Sequence, residues 1–249
     1  NRKVSDTTRI DAAIPSIKAV LDGGASLILM SHLGRPKGAP NPKYSMAPVV
    51  EVLAAKLGGV KVSMAPDCVG AEVESMAAAL KPGEVLLLEN LRFHAEEEGN
   101  DPAFSASLAR LADVYVNDAF GTAHRAHAST EGITKHIKTA VSGFLLEKEL
   151  KFLGDAVSSP VRPLVAILGG SKVSSKIGVI ENLMDKADSI IIGGGMTYTF
   201  AKALGKGIGS SIFTAEDLPV AEGILKKAKE KGVELVLPVD DVVTNANIG

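Results

Sequence analysis

Apolar residues in this chain fall into short runs and amphipathic stretches that alternate from end to end. Residues 8–21 carry helical spacing, with Pro15 inside, where its missing N–H bends or weakens a helix. The run 26–30 (Ser-Leu-Ile-Leu-Met) has strand length and ends in the polar loop Ser31-His32-Leu33-Gly34-Arg35-Pro36. A helix is predicted over 46–57, a strand over 60–64 and a helix over 71–80. Strand 84–88 follows and ends in Glu89-Asn90-Leu91-Arg92-Phe93-His94. Helix 102–111 leads to strand 114–116, and a second polar loop runs from 117 to 129. Residues 144–157 form an amphipathic stretch with a period near 3.6, punctuated by Ser158-Ser159-Pro160. Beyond it the rhythm resumes: strand 164–168, helix 173–186, strand 189–192, helix 198–204, helix 215–231 and strand 234–237.

Alternating strands and helices predict an α/β fold with parallel sheets in three-layer αβα, Rossmann-like domains. Residues 1–142 form the first domain, 143–157 a connector helix, and 158–249 the start of a second domain. The polar clusters stand where strands end, and ligands of open α/β sheets bind outside the carboxyl ends of the strands. His32, Arg35, Arg92 and Arg125 are thereby expected on one rim.

Composition narrows the setting. Hydrophobic residues make up 46% of the chain and aromatics 4%, with no Trp, which suits buried parallel strands under Ala-rich helices. With 27 basic and 29 acidic residues the net charge is −2, so no global field draws nucleic acid or an anionic membrane. An anion site must come from local clustering. The single Cys68 excludes an intramolecular disulfide and a cysteine metal cluster, and a reducing cytoplasm is the expected setting. No apolar run approaches membrane-spanning length. The chain opens at Asn1 without a Met and stops after Gly249, which reads as a fragment of a longer protein.

Three constellations could carry chemistry. Arg9, His32, Arg35, Arg92, His124, Arg125 and His127 form a basic set; arginine forks match phosphate or carboxylate bidentately. Taken singly, each arginine could equally be a solvated surface residue paired with a neighbouring carboxylate. Gly169-Gly170-Ser171-Lys172-Val173-Ser174-Ser175-Lys176 joins a strand to a helix. Its glycines admit backbone N–H groups to a phosphate at a helix N-terminus, and Lys172 and Lys176 are expected on one helix face. Neither the Walker spacing nor G-x-G-x-x-G is present, and the pair of glycines could be purely structural. Gly193-Gly194-Gly195-Met196 could pack a flat ligand against backbone or simply make a tight turn. Cys68 reads as a small buried or loop residue, and Glu96-Glu97-Glu98 as a solvated approach to a helix.

These elements, in this order, resemble the phosphoglycerate kinase family. The resemblance rests on Asp6-Thr7-Thr8-Arg9-Ile10, Ser31-His32-Leu33-Gly34-Arg35-Pro36 and Leu88-Glu89-Asn90-Leu91-Arg92-Phe93. It continues through 117–127 (Asn-Asp-Ala-Phe-Gly-Thr-Ala-His-Arg-Ala-His), 143–150, Gly169-Gly170-Ser171-Lys172-Val173 and Gly193-Gly194-Gly195-Met196. It implies a hinge-bending enzyme, a monomer of the cytoplasm, whose N-terminal domain binds 3-phosphoglycerate and whose C-terminal domain binds Mg-ADP or Mg-ATP. The reaction implied is reversible transfer of the acyl phosphate of 1,3-bisphosphoglycerate to ADP. By the same resemblance His32, Leu33, Gly34, Arg35, Arg92 and Arg125 grip substrate, and Arg9 and Lys172 stabilise the transferring group. Lys176 reaches the nucleotide phosphates, and Gly169, Gly170, Gly194 and Gly195 line the adenosine pocket. No metal ligand is assigned, because the family's magnesium-holding Asp and its first strand are expected outside these residues, and the chain alone is expected to show no turnover. A carboxylate nucleophile is already ionised near neutrality, so no general base is expected and the histidines read as donors or braces. A dinucleotide-dependent oxidoreductase lacks its fingerprint here; Arg9, Lys172 and Lys176 argue against a non-catalytic anion-binding module in the parent protein, while for the fragment by itself that reading stays open.

Overall fold

The computed structural model describes residues 3–242. Its residues cluster into two compact units that divide between Lys151 and Phe152.

The first unit runs α1 (Thr8–Asp22), β1 (Leu27–Leu29), α2 (Ala47–Lys56), β2 (Val62–Met64), α3 (Ala71–Ala78) and β3 (Val85–Leu87). It continues with α4 (Ala95–Glu98), α5 (Pro102–Ala109), β4 (Val114–Asn117), β5 (Thr139–Ser142) and the start of α6 (Phe144–Ser158). Strands β1, β3 and β2 form one parallel sheet in that order, and β4 and β5 pair in parallel as a second. The apolar run at β3 explains its central place: Val85, Leu86 and Leu87 are all buried, as a strand covered on both faces must be. Alternation sends them to opposite sides. Leu86 and Leu88 pack with Val73, Phe104, Leu108 and Tyr115, from α3, α5 and β4. Val85 and Leu87 pack with Ile17 and Leu53, from α1 and α2. Helices thus lie on both faces of this sheet. Pro15 sits in the interior of α1, which nonetheless continues to Asp22.

The unexpected strand is β5. Thr139-Ala140-Val141-Ser142 is short and exposed throughout, so it offers no apolar run to read. Its partner is β4, in register from Val114↔Thr139 to Asn117↔Ser142. The Glu96–Glu98 run is also corrected. Rather than a solvated approach it makes up most of α4, and Glu97 is buried.

Helix α6 begins under a tight clamp. Asp118 Oδ1 accepts from the Leu145 and Leu146 N–H groups, and Ser16 Oγ from that of Phe144. These are orphan donors of a helix N-terminus. A Cβ on Gly143 would collide with the Asp118 carboxyl, so only glycine lets that clamp close. Leu146 of the helix is buried, whereas its apolar Phe144, Leu150, Phe152 and Leu153 are exposed.

The second unit holds the rest of α6 and then β6 (Val165–Gly169), α7 (Ile177–Met184), β7 (Ser189–Gly193), α8 (Met196–Ala203), α9 (Leu218–Lys231) and β8 (Glu234–Val236). Its parallel sheet has the order β6-β7-β8. Ile190 and Ile192 of β7 are fully buried against Ile180, Met196, Phe200 and Ile224, contributed by α7, α8 and α9. On β6 the alternation leaves Val165 and Ile167 exposed and turns Ala166 and Leu168 towards that core. Asp188 accepts from the Leu164 N–H and pairs with Arg162, which fixes the entry to β6; the Leu164 N–H chiefly holds its carboxyl below the usual range.

Candidate anion and nucleotide sites

In the first unit parallel strands carry their loops to one edge. The loop after β1 brings His32, the turn after β3 brings Arg92, and the loop after β4 brings Arg125 and His127. Asn90 staples the first two loops together. Its buried amide donates to the carbonyls of Leu33 and Tyr44, 2.8 Å each, and its Oδ1 accepts from the Arg92 N–H. Next to it Glu89 accepts from Ser45 Oγ and from the Met46 and Asn90 N–H groups, so its charge is spent on backbone.

Arg92 is the most informative residue of this edge. Its side chain is only 6% exposed. One terminal nitrogen donates to the Gly34 carbonyl at 3.2 Å; its Nε lies 3.4 Å from Glu98 Oε1 and has no hydrogen-bond partner among the described residues. A buried guanidinium short of acceptors is costly unless an anion supplies them. His32 reports the company it keeps. Burial, then the charges of Arg92, His127, Arg125 and Arg9, hold its pKa down to about 4, so the ring is neutral near pH 7. The structure thereby brings together Arg9, His32, Arg92, Arg125 and His127. Of the bland reading of exposed, separately paired arginines, the exposure fails for Arg92, while its pairing with the Glu98 carboxylate holds.

The remaining predicted residues divide. Leu33 and Gly34 lend their carbonyls to Asn90 and Arg92, so their part on this edge is backbone. Gly34 has φ +66°, in the left-handed region that favours glycine. Arg35 is exposed. His124 approaches Arg125, with 3.3 Å between Nε2 and the arginine Nε. Sequence reading missed the acids behind the cations. Glu97 binds the main chain and hydroxyl of Ser129, and Asp118 holds α6. Carboxylates interleaved with a basic motif were the available signal.

Beside this edge Asp67, Cys68 and His94 bring their side-chain ligand atoms within 4.8 Å of one another. Asp67 Oδ1 already serves the Cys68 N–H and His94 Nε2, both at 2.7 Å. Burial, followed by the Asp67 charge, pushes the Cys68 thiol up, so it behaves as the inert buried residue its sequence suggested. A cleft lined by Asn41, Ser45, Asp67, Glu89 and Phe93 opens here.

In the second unit two glycine turns lie against each other. Register pairs Gly169 with Gly193, and the Met196 N–H donates to the Gly170 carbonyl at 2.8 Å. Gly194 has φ +73°, and a Cβ there would stand 3.0 Å from Gly170 N and 3.1 Å from its carbonyl oxygen. A Cβ on Gly195 would meet Ser171 Cα at 3.4 Å. Lys172 is exposed and Lys176 half-buried. One expectation is corrected: the two lysines do not share a helix face. The helix predicted from Val173 opens as a 3-10 turn at Ser174–Lys176, and α7 starts only at Ile177, so Lys172 lies in the preceding loop. The buried Asp217 carboxylate takes the Ser174 N–H at 3.3 Å, and Val173 is wholly buried, which together anchor that loop.

A parallel α/β unit with cations gathered at strand ends, and a second with paired glycine turns at strand ends, define a parallel-sheet α/β protein whose candidate sites lie at the carboxyl ends of its strands. The particular family follows from comparison: a phosphoglycerate kinase profile matches residues 1–248, and the chain belongs to that family. It is 59% identical over 245 residues to phosphoglycerate kinase 1, chloroplastic, of Arabidopsis thaliana, covering 98% of this chain and 50% of that protein. The phosphoglycerate kinase of Koribacter versatilis is 56% identical over 250 residues, covering 98% and 62%. Among solved structures the phosphoglycerate kinase of Coxiella burnetii superposes with a TM-score of 0.83 at 41% identity, covering 96% of this chain and 60% of that one. The chain thus spans about half to three-fifths of the length of the relatives it matches. Among the described residues no helix is long and apolar enough to cross a membrane.

Proposed function

We propose that this chain serves a phosphoglycerate kinase, an enzyme that moves the acyl phosphate of 1,3-bisphosphoglycerate reversibly to ADP. Residues 1–142 bind 3-phosphoglycerate, 143–157 connect, and 158–249 belong to a nucleotide-binding domain, in a monomer of the cytoplasm. The observation that carries this reading is Arg92: a buried guanidinium whose Nε faces Glu98 but makes no hydrogen bond among the described residues, set among His32, Arg125 and Arg9.

The chemistry asks little covalent work of the protein; positioning and charge stabilisation do most of it. Arg92 and Arg125 supply planar forks to the phosphate of 3-phosphoglycerate, with Arg35, Leu33 and Gly34 on the same loop as His32. Neutral His32 offers a single N–H as donor and carries no proton through the reaction. Arg9 and Lys172 stabilise charge on the transferring group. In the second unit Gly194 and Gly195 pack against the Gly170-Ser171 turn; Gly169, Gly170, Gly194 and Gly195 take the adenosine by resemblance to the family, and Lys176 meets the phosphates. The nucleotide brings its own magnesium.

Calorimetric titration of the chain with 3-phosphoglycerate at low and moderate salt tests the reading. Saturable binding that weakens with salt is expected. Arg125→Ala should lose about ten-fold or more in affinity, the worth of one charge-assisted hydrogen-bonding group. Absence of binding by the folded wild-type chain overturns the assignment of this edge.

A further inference from the structure

The acidic run Glu96-Glu97-Glu98 sits directly beside the most basic part of the first unit, and one of its carboxylates is out of solvent. Glu97 is 3% exposed. Its Oε1 accepts from Ser129 Oγ at 2.6 Å, its Oε2 from the Ser129 N–H at 3.0 Å, and its carbonyl from the Ala128 N–H at 2.9 Å. His127 Nδ1 stands 3.8 Å from Oε1. On the other side of Ser129 the Tyr115 hydroxyl donates to its carbonyl at 2.8 Å. Thr130 Oγ1 then ties back to the Arg125 carbonyl and takes the His127 N–H. The segment is bolted at 127–129, while among the described residues the Arg125 guanidinium two residues upstream hydrogen-bonds to His124 alone.

We propose that Glu97 is a positioning residue for the anion edge: by gripping both donors of Ser129 it sets the angle at which 125–129 presents Arg125 and His127. This rests on the substrate reading given above. A bidentate grip on one residue fixes both displacement and rotation, which a single hydrogen bond does not. The placement has an electrostatic cost, because a negative charge close to an anion site repels the anion. Glu97 therefore separates two explanations by the sign of one effect. If it were mere charge balance for the surrounding cations, neutralising it would strengthen anion binding. As a positioning residue, its neutralisation weakens binding, since glutamine offers one acceptor oxygen in place of two, so that the Ser129 hydroxyl must turn round to accept and both hydrogen bonds lose their charge assistance.

The test is calorimetric titration of the whole chain with 3-phosphoglycerate, and separately with ADP, for the wild type, Glu97→Gln and Ser129→Ala. Glu97→Gln is expected to weaken 3-phosphoglycerate binding about ten-fold, with ADP binding unchanged. Ser129→Ala keeps the carboxylate and its main-chain bond and should weaken binding several-fold, in the same direction. Unchanged or tighter 3-phosphoglycerate binding in Glu97→Gln overturns the proposal, as does a parallel loss of ADP affinity. Should Glu97→Gln fail to fold, Ser129→Ala decides: affinity equal to wild type overturns it. If the wild-type chain binds no 3-phosphoglycerate, the substrate reading fails and this proposal falls with it.

Discussion

Replacing Gly34 by alanine puts the first unit's geometry under direct test. Gly34 has φ +66°, and a Cβ built on it lies 2.5 Å from Tyr44 Cδ1. Two costs add. The left-handed backbone costs a residue with a Cβ about 1 kcal/mol. Forcing a methyl into the Tyr44 ring costs about 1–3 kcal/mol more, because the ring must leave its place or the loop must lift. The loop has little freedom to lift, since the Gly34 carbonyl holds Arg92 and the carbonyls of Leu33 and Tyr44 both hold Asn90. Gly58 provides the control: it has φ +71° with nothing within 4 Å of its Cβ position, so Gly58→Ala pays the backbone term alone. Native-state hydrogen exchange at the Leu88 amide, bonded to the Leu29 carbonyl in the core, reads stability of the first unit specifically. The expected loss is about 2–4 kcal/mol for Gly34→Ala against about 1 kcal/mol for Gly58→Ala. Adding Tyr44→Ala to Gly34→Ala should reveal a coupling of about 1 kcal/mol or more. Equal losses for the two glycine variants, or additive behaviour with Tyr44, refute the steric argument.

Two further outcomes follow from the sites. The His32 ring resonances should titrate near pH 4 by NMR, and a midpoint near the ordinary histidine value of 6.5 contradicts the burial and charge placed around it. Because that pKa is lowered on folding, the unfolded chain binds the proton first: the contribution is intact above about 6.5 and is lost as pH falls towards about 4. His32→Gln should flatten stability over that window. In the second unit, Gly194→Ala should cut ADP affinity about ten-fold by driving the two glycine turns apart, beyond the backbone strain of about 1 kcal/mol. Gly205→Ala, at φ +76° with open space around it, should show the strain without the loss of affinity.

Much of the fold was legible because period and polarity coincide. Strands β1 to β4 and β6 to β8 are apolar runs bounded by polar loops, and parallel order follows from the helices between them. What escaped did so for physical reasons. β5 is exposed and only four residues long, so its pairing with β4 is a backbone matter that side-chain pattern does not announce. The Lys172–Lys176 spacing implied a shared helix face, but buried Val173 and the Asp217 carboxylate hold the loop in another path. Both are tertiary contacts between residues far apart in sequence. In the basic motif the cations could be read directly, whereas the acids that brace them could not. A glutamate beside two other glutamates looks solvated until Ser129, from a loop beyond α5 and β4, closes over it.

The clamp at the start of α6 has a mechanical consequence. Asp118 belongs to the same loop as Arg125, yet its Oδ1 is the fixed point for the Leu145 and Leu146 N–H groups, and Gly143 leaves no slack between them. A push on the first turn of that helix is therefore transmitted to the loop as displacement rather than absorbed as bending. The joint behaves as a bell-crank, and stiffness at one residue decides how faithfully motion at a helix end is delivered to the strand end beside it.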